Sequence, residues 1–244
     1  STAKQSQVKS GKMKVIKVAA YWLFVVCLPL LLLTSTVRLE INSIHTYEYS
    51  FNKYNISQVT GIDKAQLSEV ARKLVDYFNS EVETPQIKVI NEGGEEFELF
   101  QENEQNCELT HLEDVKRLFQ VDYRVQEIVL AYIIIYALLF LLWWKGRWQD
   151  LARGIRRGCA LSLALIAALG ITSTFLNFEQ LFIQFHQFAF HNLCWMSTGY
   201  LPMLFPESFW QDIAFFGAGT IAAEALLLGS IAWAVPFIHR RRKR

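Results

Sequence analysis

Two histidines occupy surroundings that suit proton transfer. His111 lies in ELTHLEDVKRLF, residues 108–119, where Thr110 and Glu113 have the spacing of a capping box and make His111 the first residue of a short amphipathic helix. The partial positive charge of a helix N-terminus disfavours imidazolium, so this ring is expected to be neutral and able to accept a proton. Asp114 and Glu108 are the nearby carboxylates that would orient it. His186 lies in FHQFAFHN, bordering a stripe of Phe178, Phe182, Phe185 and Ala189 at helical spacing, with Asn192 two turns on as a candidate partner. His191 is five residues further, on another side of the helix, and reads as structural. Each of the pair also has an ordinary reading, as a surface histidine at a helix start and as a ring beside a packing stripe. The four cysteines (Cys27, Cys107, Cys159, Cys194) share no close spacing, so neither a disulfide framework nor a zinc site is expected. Cys107 and Cys194 carry no signature of a covalent nucleophile.

A chain of 244 residues that is 52% hydrophobic and 19% charged is too polar to lie wholly in a membrane and too apolar for a soluble domain. Four apolar runs are long enough to span: Val18–Val37, Ile128–Trp144, Gly158–Leu176 and Ile213–Ile238. The first has a basic start and small residues at Thr34-Ser35-Thr36, as a signal peptide would, but it exceeds an h-region and reads as an uncleaved span. The expected fold class is an α-helical membrane protein of four transmembrane helices, with a small extracytoplasmic α+β domain between the first and second. The net charge of +1 conceals segregation: residues 4–17, 145–157 and 240–244 hold five Lys or Arg each, with Asp150 the one acid among them. The positive-inside rule then makes the N-terminus 1–17, the loop 145–157 and the tail 239–244 cytoplasmic, and places 38–127 and 177–212 outside. Trp143 and Trp144 suit an interfacial belt.

In the first outer segment, Leu39, Ile41, Ile44, Tyr47, Tyr49 and Phe51 approximate two-residue alternation and predict a strand leaving the first span. Asp63 predicts a helix start, with Gln66 returning the capping bond and Leu67, Val70, Ala71, Leu74, Val75 and Phe78 on one face. Ile87–Ile90 and Phe97–Phe100, joined through Asn91-Glu92-Gly93-Gly94, predict a hairpin. The second outer segment includes Phe185–Trp210, which is aromatic and has no basic residue. It is expected to lie on or in the outer leaflet and to hold His186 at the boundary of lipid and water.

At the two histidine stretches the chain resembles the lipoprotein intramolecular transacylase family, Lit, of bacterial integral membrane proteins. The matching residues are HLEDVK from His111 to Lys116, FHQFAFHN followed by Trp195, the Leu-Phe-Pro of Leu204–Pro206, Phe209 and Asp212, with Tyr49-Ser50-Phe51 and Thr60-Gly61 upstream. The order of spans and loops matches as well, so the resemblance covers nearly the whole chain. It implies transfer of the sn-2 acyl chain of a diacylglyceryl-modified lipoprotein onto the α-amine of that lipoprotein's N-terminal cysteine, in a bacterial plasma membrane. It implies too that His111 and His186 are catalytic and face one another in an outward site. Asp114, Asn192 and Trp195 are candidates for orienting them or binding substrate. The long basic tails and His191 depart from the family pattern without touching that pair.

Ester aminolysis needs a free-base amine, a base for its second proton and a donor to the carbonyl oxygen. Reading His111 as the base and His186 as the group that orients or polarises the ester meets those needs with no cofactor or metal, a lipoprotein and membrane lipid as partners, and no nucleic acid. An accessory lipid-binding subunit would instead keep His111 and His186 apart. A metallohydrolase would need three converging ligands, with no HExxH to supply them. Glu224, within the fourth span, is expected to pair with polar groups such as Ser162, Thr172 or Ser173.

Overall fold

The computed structural model describes residues 2–103 and 106–241, with side chains for 13–103, 106–173 and 175–234. The side chains of Lys4, Lys9, Lys12 and the tail 239–244, on which part of the topology reading rests, lie outside the described residues. In chain order the elements are α1 (Thr2–Asn42), α2 (Ile44–Lys53), α3 (Ile56–Thr60), α4 (Lys64–Phe78), β1 (Lys88–Ile90), β2 (Glu96–Glu98), α5 (Glu108–Leu138), α6 (Trp148–Phe175), α7 (Phe178–Ala189), α8 (Tyr200–Leu204) and α9 (Glu207–Arg241). Among the described residues, four helical stretches are long and apolar enough to cross a membrane: Met13–Asn42, Glu108–Trp143, Trp148–Ser173 and Glu207–Ala234. They overlap the four runs read from the sequence. A bilayer core takes about 20 helical residues. In Glu108–Trp143 the charged residues end at Glu127, so the uncharged stretch begins at Ile128 and His111 lies before it.

The chain forms two compact units. One comprises residues 1–35, 124–170 and 218–244, and its helices pack through Phe24, Val25, Leu28, Tyr136 and Leu151. Phe24 stacks on Tyr136 with ring centroids 4.7 Å apart. Gly158 is required where α6 meets α1: a Cβ there would lie 2.7 Å from Leu28 Cβ and 3.0 Å from the Val25 carbonyl oxygen. Small residues at such crossings bring membrane helices into close contact. The expected pairing of Glu224 with Ser162 is absent: Ser162 donates to the Gly158 carbonyl of its own helix, and Glu224 Oε2 has no hydrogen-bond partner among the described residues.

The other unit comprises residues 36–123 and 171–217, so the small domain is not one continuous stretch. Leu204, Phe205 and Phe209, from residues 171–217, belong to the same core as Leu67, Leu74 and Leu99 from residues 36–123. The strand expected after the first span is helix instead. Ile44, Tyr47 and Phe51 recur at three and four residues, and Tyr47, Ser50 and Phe51 form the buried face of α2. Ser50 Oγ donates to the Leu204 carbonyl at 2.8 Å, tying the two segments. Helix α4 follows its apolar pattern, and Asp63 caps it by accepting from Ala65 N at 2.9 Å. Gln66 does not return the bond. Its amide accepts from Ile90 N and donates to Ile90 O, which seals the outer edge of β1. The hairpin is antiparallel, with Val89 opposite Phe97.

Candidate active site

Helix α5 begins at Glu108, two residues before the expected cap. Thr110 is therefore inside the first turn, where its N–H and hydroxyl both donate to the Glu102 carboxylate, and Glu113 pairs with Arg117 instead of returning a capping bond. His111 N–H makes the first intrahelical bond, to the Cys107 carbonyl. His186 sits in the last turn of α7, which Asn177 caps by accepting from Gln180 N.

The two imidazoles are neighbours, with ring centroids 5.9 Å apart, and both are buried. Phe190 packs against each, at 4.9 Å from His111 and 5.5 Å from His186. Trp195 covers His186 at 5.0 Å and Phe182 lies at 4.1 Å on it. These rings hold water away from the pair and strengthen electrostatic interactions there. Among the carried-over candidates, Asp114 and Asn192 join each other: Asn192 Nδ2 donates to Asp114 Oδ2 at 2.7 Å, and Asn192 Oδ1 accepts from Cys194 N. His191 is exposed.

Protonation states follow from these surroundings. Burial, then the neighbouring His186, push the His111 pKa down to about 4, with Asp114 opposing weakly. The ring is neutral, as the sequence predicts, but desolvation is the first cause. Burial likewise lowers His186. His186 Nδ1 lies 2.7 Å from the Phe182 carbonyl oxygen, which can only accept, so the proton resides on Nδ1 and Nε2 carries the lone pair. His111 Nδ1 is buried without a hydrogen-bond partner among the described residues.

One feature contradicts the sequence reading outright: Cys107 and Cys194 form a disulfide. It is flanked by polar ties between the same two segments. Asn106 Oδ1 accepts from Ser197 Oγ, Thr198 N and Thr198 Oγ1. Glu108, fully buried, accepts from Gln101 N at 3.1 Å and Leu201 N at 2.6 Å. A Cβ at residue 199 would lie 2.4 Å from the Glu108 carboxylate, so any side chain there would push that carboxylate off its two backbone donors. Residues 106–108 thus fasten the loop that carries Trp195 to the start of the helix that carries His111. Phe190, the Phe182 carbonyl and this disulfide escape a residue-by-residue reading, since each acts through a partner distant in sequence or through the backbone.

The family model of the lipoprotein intramolecular transacylase Lit matches residues 22–210. The chain belongs to that family. The fold agrees with solved Lit structures. The in meso structure of membrane-integral Lit from Bacillus cereus has a TM-score of 0.73 at 16% identity, over 95% of this chain and 100% of that one. Two histidine variants of the Bacillus cereus protein give the same likeness: one to arginine, with a TM-score of 0.73 at 15% identity over 98% of this chain and 99% of that one, and one to alanine, with 0.72 at 15% over 97% and 100%. No curated protein matches the sequence. As a Lit-family chain with four membrane-crossing helices, this is a multi-pass membrane protein of a transacylase family.

Proposed function

We propose that this chain transfers the sn-2 acyl group of a diacylglyceryl-modified lipoprotein to the α-amine of the lipoprotein's own N-terminal cysteine. The observation that carries this reading is the buried pair of neutral imidazoles 5.9 Å apart between ring centroids. The amine nitrogen attacks the ester carbonyl carbon and passes a proton to His186 Nε2, whose lone pair is held available by the bond from Nδ1–H to Phe182. His111, neutral with one N–H, donates to the oxyanion. The C–N bond forms, the C–O bond to the glyceryl oxygen breaks, and His186 returns its proton to that oxygen. The products are an amide and a free 2-hydroxyl, with no acyl-enzyme. This assignment reverses the roles read from the sequence, because the tautomer of His186 leaves it an acceptor and not a donor. Asp114 and Asn192 position the segment after α7, and Trp195 walls the site.

The site belongs on the extracytoplasmic face of a bacterial plasma membrane. Basic residues flank the opposite ends of the spans, and a disulfide suits an oxidising compartment. Phe185, Phe188, Leu193 and Met196 are exposed around the buried His186, an apolar surface fit for the interface where the substrate's acyl tails reside.

The deciding experiment is mass spectrometry of lipopeptides from bacteria that make diacylglyceryl lipoproteins, with and without this chain. N-acylated, sn-2-deacylated lipopeptide is expected only with it; its absence despite membrane insertion would refute the reading. The pH profile tests the protonation states. Since burial lowers the pKa of both histidines, that of His111 to about 4, the limiting ionisation is that of the substrate amine, about 7.7–8.0. Activity, as kcat/KM, should rise with pH towards about 8 and then level, without an inflection near 6.5. An inflection near 6.5 that disappears in a histidine variant would show an ordinarily titrating histidine and contradict the buried, neutral pair.

A further inference from the structure

In the unit formed by residues 1–35, 124–170 and 218–244, α6 and α9 border a groove of about 340 Å³. Its walls are largely apolar: Ala160 and Leu163 from α6, Ala225 and Gly229 from α9, with Ser230 the one hydroxyl on them. Trp233 and Arg156 stand together at one end of it. The two helices touch at the floor, where a Cβ on Gly229 would come 3.6 Å from Cys159 Cβ, so the small residues leave width above that contact.

Arg156 differs from the other arginines of the basic segment. Arg147 and Arg153 both pair with Asp150, and Arg157 donates to Tyr21 Oη and lies over the rings of Tyr21 and Trp22. Arg156 has neither acid nor acceptor among the described residues, and its Nε is closed off from solvent without a hydrogen bond. The one acid of the segment is already shared by two guanidinium groups. A partly exposed guanidinium whose Nε is shielded and unmatched, at the mouth of a largely apolar groove, suits a ligand with an anionic head and an apolar body.

We infer that this groove binds an anionic phospholipid, with its phosphate on Arg156 and an acyl chain along Ala160, Leu163, Ala225 and Gly229. A phosphodiester offers two oxygens to a guanidinium in the planar, bidentate geometry that favours Arg over Lys. Seven residues separate Arg156 from Leu163, about 10 Å of helix, enough for the glycerol end and upper acyl chain. Trp233 stands level with the headgroup, where tryptophan settles in membranes. The site lies at the basic ends of the helices and belongs to the leaflet bordering residues 145–157.

The test uses the full chain purified in a mild detergent, with lipid binding counted by native mass spectrometry. Three probes separate head from tail: phosphatidylglycerol, diacylglycerol with the same chains, and inorganic phosphate. One phosphatidylglycerol per chain is expected to survive detergent exchange, while the other two bind at least tenfold more weakly. Arg156→Gln should weaken phosphatidylglycerol binding tenfold or more. Arg153→Gln, which removes a cation already paired with Asp150, should change it less than twofold. Gly229→Leu should fill the groove and displace the lipid although the guanidinium remains. Equal retention of diacylglycerol, or phosphatidylglycerol binding unchanged by Arg156→Gln, would mean annular lipid only and overturn the inference. Equal binding of inorganic phosphate would leave an anion site without a lipid. None of these readouts depends on transacylase activity.

Discussion

His186→Ala is expected to lower formation of the N-acylated lyso product by about 10²–10⁴-fold, the usual cost of removing an acid–base group, while the protein still inserts and folds. His111→Ala should fall within the same range. The two are told apart by their substitutes. Gln at residue 111 keeps an N–H donor for the oxyanion and should recover part of the loss, whereas Gln at residue 186 has no basic nitrogen and should recover none. Added imidazole should partly rescue His186→Ala, since a diffusible base can enter the space the ring has left. Asp114→Asn is expected to be intermediate, because it weakens the bond from Asn192 at 2.7 Å without removing a reacting group. His191→Ala, at an exposed position, should stay near full activity. Rescue of residue 186 by Gln but of residue 111 by imidazole would return the roles to those read from the sequence. Retained activity in both alanine variants would end the transacylase reading.

Breaking the covalent link between residues 107 and 194 should have the second largest effect. The two cysteines are 87 residues apart, and chain entropy alone would give such a loop a stabilisation approaching about 4.7 kcal/mol. The relevant unfolded state is smaller than a free coil, because α5 and α6 between the cysteines stay inserted in the bilayer. An effect of about 2–4 kcal/mol is therefore expected for Cys107→Ser/Cys194→Ser, read as a lower unfolding midpoint in detergent. Turnover should fall as well, by up to about 10²-fold, since small misplacements of reacting groups are costly and the bond holds the Trp195 loop against the helix of His111. Adding reductant to wild type should reproduce both changes. An unaltered midpoint after confirmed reduction would show that the polar ties from Asn106 and Glu108 suffice.

Sequence patterning carries furthest where periodicity is long and one-sided. The four spanning helices and the Leu67–Phe78 face are legible for that reason. It fails at α2, where Tyr47, Tyr49 and Phe51 alternate over too short a run to separate a strand from a helix. Tertiary burial decides for the helix, because Ser50 and Phe51 face the core that Leu204 and Phe205 complete from more than 150 residues away. The capping boxes fail differently. Their residues are present, but Glu102 takes the Thr110 hydroxyl and Ile90 takes the Gln66 amide, two partners that only the folded chain brings within reach. At the candidate site, both histidines stand out by residue type and local pattern, while their proximity and the cysteine pairing depend on segments distant in sequence coming together, and the tautomer of His186 depends on the Phe182 carbonyl one turn back in α7.

The aromatic lining raises a question of chemical fidelity. A base able to accept a proton from an amine can accept one from water too, and water attack on the same ester would release a free fatty acid and waste the substrate. Nothing in an imidazole discriminates between the two nucleophiles. On the proposed mechanism, Phe190 against both rings, with Phe182 and Trp195 on His186, would keep the reacting centre dry and leave the tethered amine as the nucleophile at hand. On that mechanism, selectivity for aminolysis over hydrolysis resides in these walls and not in the two imidazoles, and the ratio of amide to free fatty acid is the quantity that reports on them.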